Sequence, residues 1–283
     1  DPAQYLSQSF LIGFQEVPDS SDNVDGVPLV RHDYRSANAA LYDFDIPGGH
    51  FYTQTNGNGN GGGGKGFSVI DDPDAEMWST FGAVGGLATA GYPVSKRFQL
   101  SSSQHTYQAY QKLVLDWDPV AKQAGLLNVL DLLHDSGADS WLSTAREVPV
   151  QADFVAADAS HSWNDTLKAH LALLDGQKDI KGAYFSVADP VSRFGLPMSG
   201  VADTGDALML RTQREVFQLW KHDMPWAKAG QVTLANAGEL LRDAQVFQAD
   251  VFTPDQRLPE QLSGDFRLPW ELPGGQNIGF PAV

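Results

Sequence analysis

Seven histidines and 35 carboxylates are the chain's stock of groups for acid–base or metal chemistry. His134 stands beside Asp131 and Asp135, and His161 lies near Asp158. An imidazole among carboxylates suits a general base or a metal ligand, but it is more often a solvated or capping residue. The second reading is adopted for both histidines. His161 and His170 stand too far apart to form an i, i+4 ligand pair on one helix. There is no G-x-S-x-G elbow, so a serine hydrolase of that type finds no support. A glycosidase pair of carboxylates stays open, because such a pair is defined by distance in space and not by sequence spacing. Residues 59–66 nearly spell a phosphate-cradling G-x-x-x-x-G-K-[ST], but Gly66 replaces the hydroxyl that would hold magnesium. Residues 67–70 after it read as a strand, not the helix that such a loop requires. The acidic stretch 18–26 has calcium-type oxygens without the D-x-[DN]-x-[DN]-G spacing or a closing Glu, and is read as a polar loop. The absence of Cys excludes disulfides, thiol catalysis and Cys-based zinc sites. No metal and no cofactor is expected.

Five aromatic residues are the candidates for binding: Tyr92, Tyr107, Tyr110, Trp117 and Trp220. Such rings stack on sugars when exposed and build a core when buried. Alternation along a strand would divide them between the two faces. All five lie in sequence that occurs twice. Gly91-Tyr92-Pro93-Val94-Ser95 is answered by Gly195-Leu196-Pro197-Met198-Ser199. Gln111-Lys112-Leu113-Val114-Leu115 is answered by Gln213-Arg214-Glu215-Val216-Phe217, and Trp117 by Trp220 one place late. Asn128 with Asp131 matches Asn236 with Glu239, and both pairs have the spacing of a helix capping box. Repetition of this kind predicts two related units.

The elements that carry these residues follow from periodicity. Tyr107 and Ala109, then Leu113 and Leu115, predict a hairpin, as do residues 207–210 and 215–220. Further strands are expected at 67–70, 125–127, 149–155 and 231–235. Asp72 and Pro73 are placed to cap and begin a helix with Met77, Trp78, Phe81 and Val84 on one face, which Gly85 and Gly86 end. Helices are also expected at 130–135, 140–146, 162–174 and 237–244. Pattern leaves 183–187 as strand or helix. The apolar run Phe10, Leu11 and Ile12 suits a buried strand or short helix. Residues 56–66, Gly- and Asn-rich, read as a flexible surface loop. The expected fold is thus α+β: two related units of short antiparallel hairpins with short helices, and an irregular C-terminal tail. Residues 1–150 hold the Gly-rich loop and the first unit, 151–250 the second unit, and 251–283 the tail, packed as one globular body.

Hydrophobic residues make up 42% of the 283 and aromatics 11%, enough for a packed core. A formal charge of −16 argues against nucleic acid and against anionic lipid surfaces, both of which recruit Lys and Arg clusters. No apolar run is long enough to span a bilayer. The acidic, Cys-free, Gly/Asn-rich chain begins at Asp1, and an exported protein that has lost a targeting segment is the expectation.

The first unit resembles the LGFP repeat of bacterial cell-envelope proteins, which couples an L-G-[FY]-P-x-S turn to a Q-x-F-x-x-G-x-I-x-W-x-P hairpin. The matching residues here are Ala90-Gly91-Tyr92-Pro93-Val94-Ser95 and the stretch from Gln108 through Trp117 to Pro119. Lys112 and Leu113 replace the hairpin's Gly, and the second unit lacks the W-x-P ending. The two units are also separated by helical sequence where such repeats usually run in tandem. The resemblance implies a non-catalytic module, extracellular or at the cell surface, whose partners are cell-wall polysaccharide or copies of itself. A secreted glycan hydrolase using a carboxylate pair and a structural subunit of a surface assembly are the alternatives.

Overall fold

Gly91 and Gly195 each begin a four-stranded antiparallel sheet, and each is needed for the same reason. Their φ angles are +75° and +76° with ψ near 180°, a region open essentially to glycine alone. A Cβ at Gly91 would lie 2.9 Å from the Gln111 side chain, and one at Gly195 2.6 Å from that of Gln213. The turn after each glycine therefore closes tightly on a glutamine of the hairpin. The computed structural model describes residues 23–24, 27–28, 43–53, 65–100, 103–247 and 249–257.

The first sheet runs in the order β6 (Pro93–Phe98), β7 (Thr106–Tyr110), β8 (Val114–Asp118), β9 (Gln123–Leu126). The second runs β10 (Ala202–Asp203), β11 (Ala207–Arg211), β12 (Val216–Trp220), β13 (Val232–Leu234). Each is followed by a helix, α3 (Val129–Asp135) and α9 (Ala237–Asp243). The hairpin registers coincide, since Ala109 pairs with Val114 as Arg211 pairs with Val216. The connection from β12 to β13 is longer than that from β8 to β9. A third sheet, β14 (Asp255–Gln256), β5 (Lys65–Ile70), β4 (Gly49–Tyr52), β3 (Phe44–Ile46), adjoins the first unit. A small hairpin pairs β1 (Asn23–Val24) with β2 (Val27–Pro28).

Strand alternation gives each large sheet two buried faces. The inner faces meet in one shared core, where Tyr107, Ala109 and Val114 join Met209, Val216 and Trp220, closed by Leu130 and Leu133 of α3 and Leu240 and Leu241 of α9. The outer face of the first sheet, with Tyr110, Leu115 and Trp117, is covered by Met77 and Phe81 of α1 (Met77–Ala83), which leads through α2 (Gly86–Ala90) to Gly91. The stretch between the units supplies α4 (Asp139–Arg146), α5 (Val155–Asp158), α6 (Trp163–Leu171), α7 (Lys178–Tyr184) and α8 (Pro190–Phe194). Leu174, Ile180, Tyr184 and Phe194 of this stretch cover Leu210, Phe217 and Leu219, the outer face of the second sheet. The later part of the helical sequence that parts the two units is thus the second unit's outer layer, while Leu142 of α4 joins the shared core. Tyr184 anchors it by donating to the Gly195 carbonyl at 2.8 Å.

Several local expectations are corrected. Asp72 does not cap α1, whose N-cap is Glu76. Its carboxylate accepts from the Asp74 and Ala75 amides and from Arg97. Residues 149–154 form no strand: Ala152 N–H bonds the Met198 carbonyl without a continuing ladder, and the Phe154 carbonyl accepts from Asp158 N–H as α5 begins. Residues 183–187 begin inside α7. The tail does not start irregular: a 3-10 turn, Ala249–Phe252, leads into β14, which pairs with β5. Residues 4–16, 54–64 and 258–283, with the apolar run, most of the Gly-rich loop and the rest of the tail, lie outside the described residues, as does most of the 18–26 loop. The Lys65-Gly66 end of the P-loop-like stretch sits in β5 and not at a helix N-terminus.

Candidate functional site

The five aromatic candidates are all interior: Tyr92 is 2% exposed, Tyr107 4%, Tyr110 0%, Trp117 6% and Trp220 1%. Sugar stacking needs an open ring face, so these residues are corrected from binding surface to core. Tyr92, Tyr110 and Trp117 share the cluster under α1, whereas Tyr107 and Trp220 lie in the core between the units. Trp220 spends its indole N–H on Thr233 Oγ1 at 3.0 Å.

Of the two candidate histidines, His134 is committed to structure. His134 bonds Asp139, not Asp131 or Asp135, with Nδ1 at 2.5 Å from Oδ2, and the other Asp139 oxygen accepts from Arg211 at 2.8 Å. His161 is exposed, and Asp158 turns instead to His170, 3.0 Å from its Nε2. Nδ1 of His170 donates to the Pro197 carbonyl at 2.7 Å, holding α6 against the second turn. Among the described residues no group of three or more His, Asp or Glu side chains is placed to hold a metal ion.

Glu239 accepts from the Asn236 side chain at 2.8 Å, and the acids of both expected capping boxes also have a second task, which sequence spacing did not disclose. Gln111 Oε1 accepts from Tyr92 N–H at 2.9 Å, and its Nε2 donates to Glu239 Oε1 at 3.2 Å. Gln213 repeats this: Oε1 accepts from Leu196 N–H at 2.9 Å, and Nε2 donates to Asp131 Oδ2 at 2.9 Å. The Gln111 carbonyl accepts from the Gly238 and Glu239 amides, and the Gln213 carbonyl from the Leu130 amide. Each unit's trailing helix therefore docks, N-terminus first, on the glutamine turn of the other unit. Neither Asn128 nor Asn236 makes a side-chain cap bond. Burial pushes both Asp131 and Glu239 up from the usual carboxylate range. Glu215, also buried, is pushed up to about 8 by burial despite Arg193, Lys112 and Arg214 nearby.

An open concavity lies at the end of the first sheet. It is a cleft of about 470 Å³ between the Pro73-Asp74 turn and the β6–β7 connection. Arg97, Phe98 and Gln99 at the end of β6, Gln104 and Thr106 at the start of β7, and Pro119 after β8 complete it. Its shape is fixed by an ion pair. Arg97 donates Nη1 to Asp72 Oδ1 at 2.9 Å and Nη2 to Oδ2 at 2.5 Å, which holds Asp72 down at about 2. Asp74, Gln99 and Gln104 are exposed at its edge beside the two prolines, while Phe98 and Thr106 are buried at its back. A second concavity, about 420 Å³, lies on α6 and α7 and is mainly apolar, with Leu167, Leu171 and Phe185 flanked by Lys168 and Lys181. Trp163 on α6 is 61% exposed and Phe185 47%. No protein-family model matches the chain, and no curated protein matches it.

Proposed function

We propose that this chain is an exported, non-catalytic binding protein of the cell envelope or extracellular space, related to the LGFP repeats, and that it recognises polysaccharide in the cleft beside β6 and β7. The observation that carries the reading is the lining of that cleft. Two exposed primary amides and an exposed carboxylate stand around the surface of two prolines. Each amide both donates and accepts, as a sugar hydroxyl does, and the apolar proline surface suits the C–H face of a sugar ring.

A glycan hydrolase finds less support. A general acid at neutral pH needs an upward-shifted carboxyl within reach of substrate. Among the described residues the acids shifted upward are Asp131, Glu215 and Glu239, which serve the joint between the units or lie buried near it. The alternative of a structural subunit in a surface assembly places its contacts at the chain ends or the Gly-rich loop, most of which lie outside the described residues. The test is retention of the protein on immobilised polysaccharides, run beside an assay for new reducing ends. Retention without sugar release is expected. Release of reducing ends would replace the reading with hydrolysis, and neither retention nor release would overturn it.

A further inference from the structure

We infer that the cleft beside β6 and β7 takes uncharged, hydroxyl-rich glycan and rejects acidic glycan, an assignment that rests on the polysaccharide reading above. Arg97 is the one cation among the described residues that line the cleft, and both its terminal nitrogens are bonded to Asp72. The charge of Arg97 is already balanced by the carboxylate that matches its fork, so an acidic polymer would meet only its remaining N–H groups, beside the negative Asp74. Asp72, Arg97 and Asp74 together carry one net negative charge, and the whole chain carries −16, so an anion meets repulsion both at contact and at a distance.

What the lining does offer is neutral. Gln99 and Gln104, both exposed, present amides that donate and accept. Asp74 accepts from sugar hydroxyls. Being exposed, it attracts an amine only weakly and through salt-screened charge, so it does not turn the cleft into a cation site. Binding of this kind should change little with ionic strength, unlike binding driven by opposite charge.

The experiment compares a neutral galactan, polygalacturonate and chitosan by affinity electrophoresis at low and high salt. The proteins are the full chain and its Gln104→Ala, Asp74→Lys and Trp163→Ala variants. All three substitutions are at exposed positions, and melting curves verify the folds. The galactan should retard the parent chain at both salt levels, with the other two polymers having little effect. Gln104→Ala should weaken retardation about tenfold, the size of one lost hydrogen bond. Asp74→Lys should gain polygalacturonate binding at low salt, and Trp163→Ala should behave as the parent. Preference for polygalacturonate or chitosan would leave polysaccharide binding standing and overturn the assignment. Galactan binding lost in Trp163→Ala but kept in Gln104→Ala would move the site to α6 and overturn it too. Binding to none of the three would remove the proposed function and this assignment together.

Discussion

Trp117 carries the contrast between ring as platform and ring as core in one side chain. Its strand ends a hairpin, it packs with Leu115 and Tyr110 under α1, and it is nearly closed to solvent. Trp117→Ala should therefore cost about 3–5 kcal/mol and lower the melting temperature, with Trp117→Phe costing less. An unchanged midpoint would put the residue outside the core. Glu215 gives a second test. Its folded form keeps a proton to about pH 8, whereas its unexceptional value is 4.5. The folded state then binds more protons across that window. The stability this contributes is full below about 4.5 and is lost as pH rises through about 8. The melting temperature should fall from mildly acidic to alkaline pH, and Glu215→Gln should flatten that slope. Parallel slopes in the two proteins would mean that Glu215 is already ionised in the fold. Asp72 works in the opposite sense: held at about 2, it contributes stability above its ordinary 3.8 that disappears as pH falls through 2.

At the scale of elements, the exchange of helices between the units sets the terms. Helix α9 approaches the first hairpin so closely that a Cβ at Gly238 would lie 1.7 Å from the Tyr110 carbonyl oxygen. Gly238→Ala should therefore be among the most damaging single-methyl changes, pushing α9 off the turn and breaking the bonds to the Gln111 carbonyl. Gly176→Ala meets nothing within 4 Å and should be near neutral. Equal losses in the two variants would contradict the close docking. Gln111→Ala should cost about 1–3 kcal/mol, because it leaves the buried Tyr92 N–H and one Glu239 oxygen without a partner. Denaturant titration of these variants measures each cost.

For the whole molecule, the shared core decides how it unfolds. Residues of both sheets and of both trailing helices meet in one cluster, and each unit supplies the helix that satisfies the other's turn. Neither unit can open without exposing the apolar surface of its partner. Calorimetry of the full chain should show the two units melting in one cooperative transition, whose calorimetric and van't Hoff enthalpies agree. Two resolved peaks, each assignable to one unit, would mean that the joint is too weak to couple them. No helix among the described residues is long and apolar enough to cross a membrane.

The sequence by itself determined the α+β class, the two hairpins and most of the helices, because these follow from alternation, helical spacing and turn residues that act over a few positions. Gly91, Pro93 and Gln111 with their counterparts Gly195, Pro197 and Gln213 were legible for the same reason: a repeated local geometry needs repeated residues. Asp131 and Glu239 had the spacing of local caps; Glu239 does accept from the Asn236 side chain, but both acids also reach glutamines, Gln213 and Gln111, that lie 82 and 128 positions away. A carboxylate's reach is the same toward a near neighbour and a remote one, so spacing cannot say which the fold will deliver. The five aromatic rings posed the same difficulty, since alternation shows that a strand has two faces but not that both are covered. The cleft joins Asp74, Gln99, Gln104 and Thr106 from three stretches of chain with no shared motif. Only the tertiary structure brought them together, because the Arg97–Asp72 pair and the β6–β7 register fix positions that no local pattern encodes.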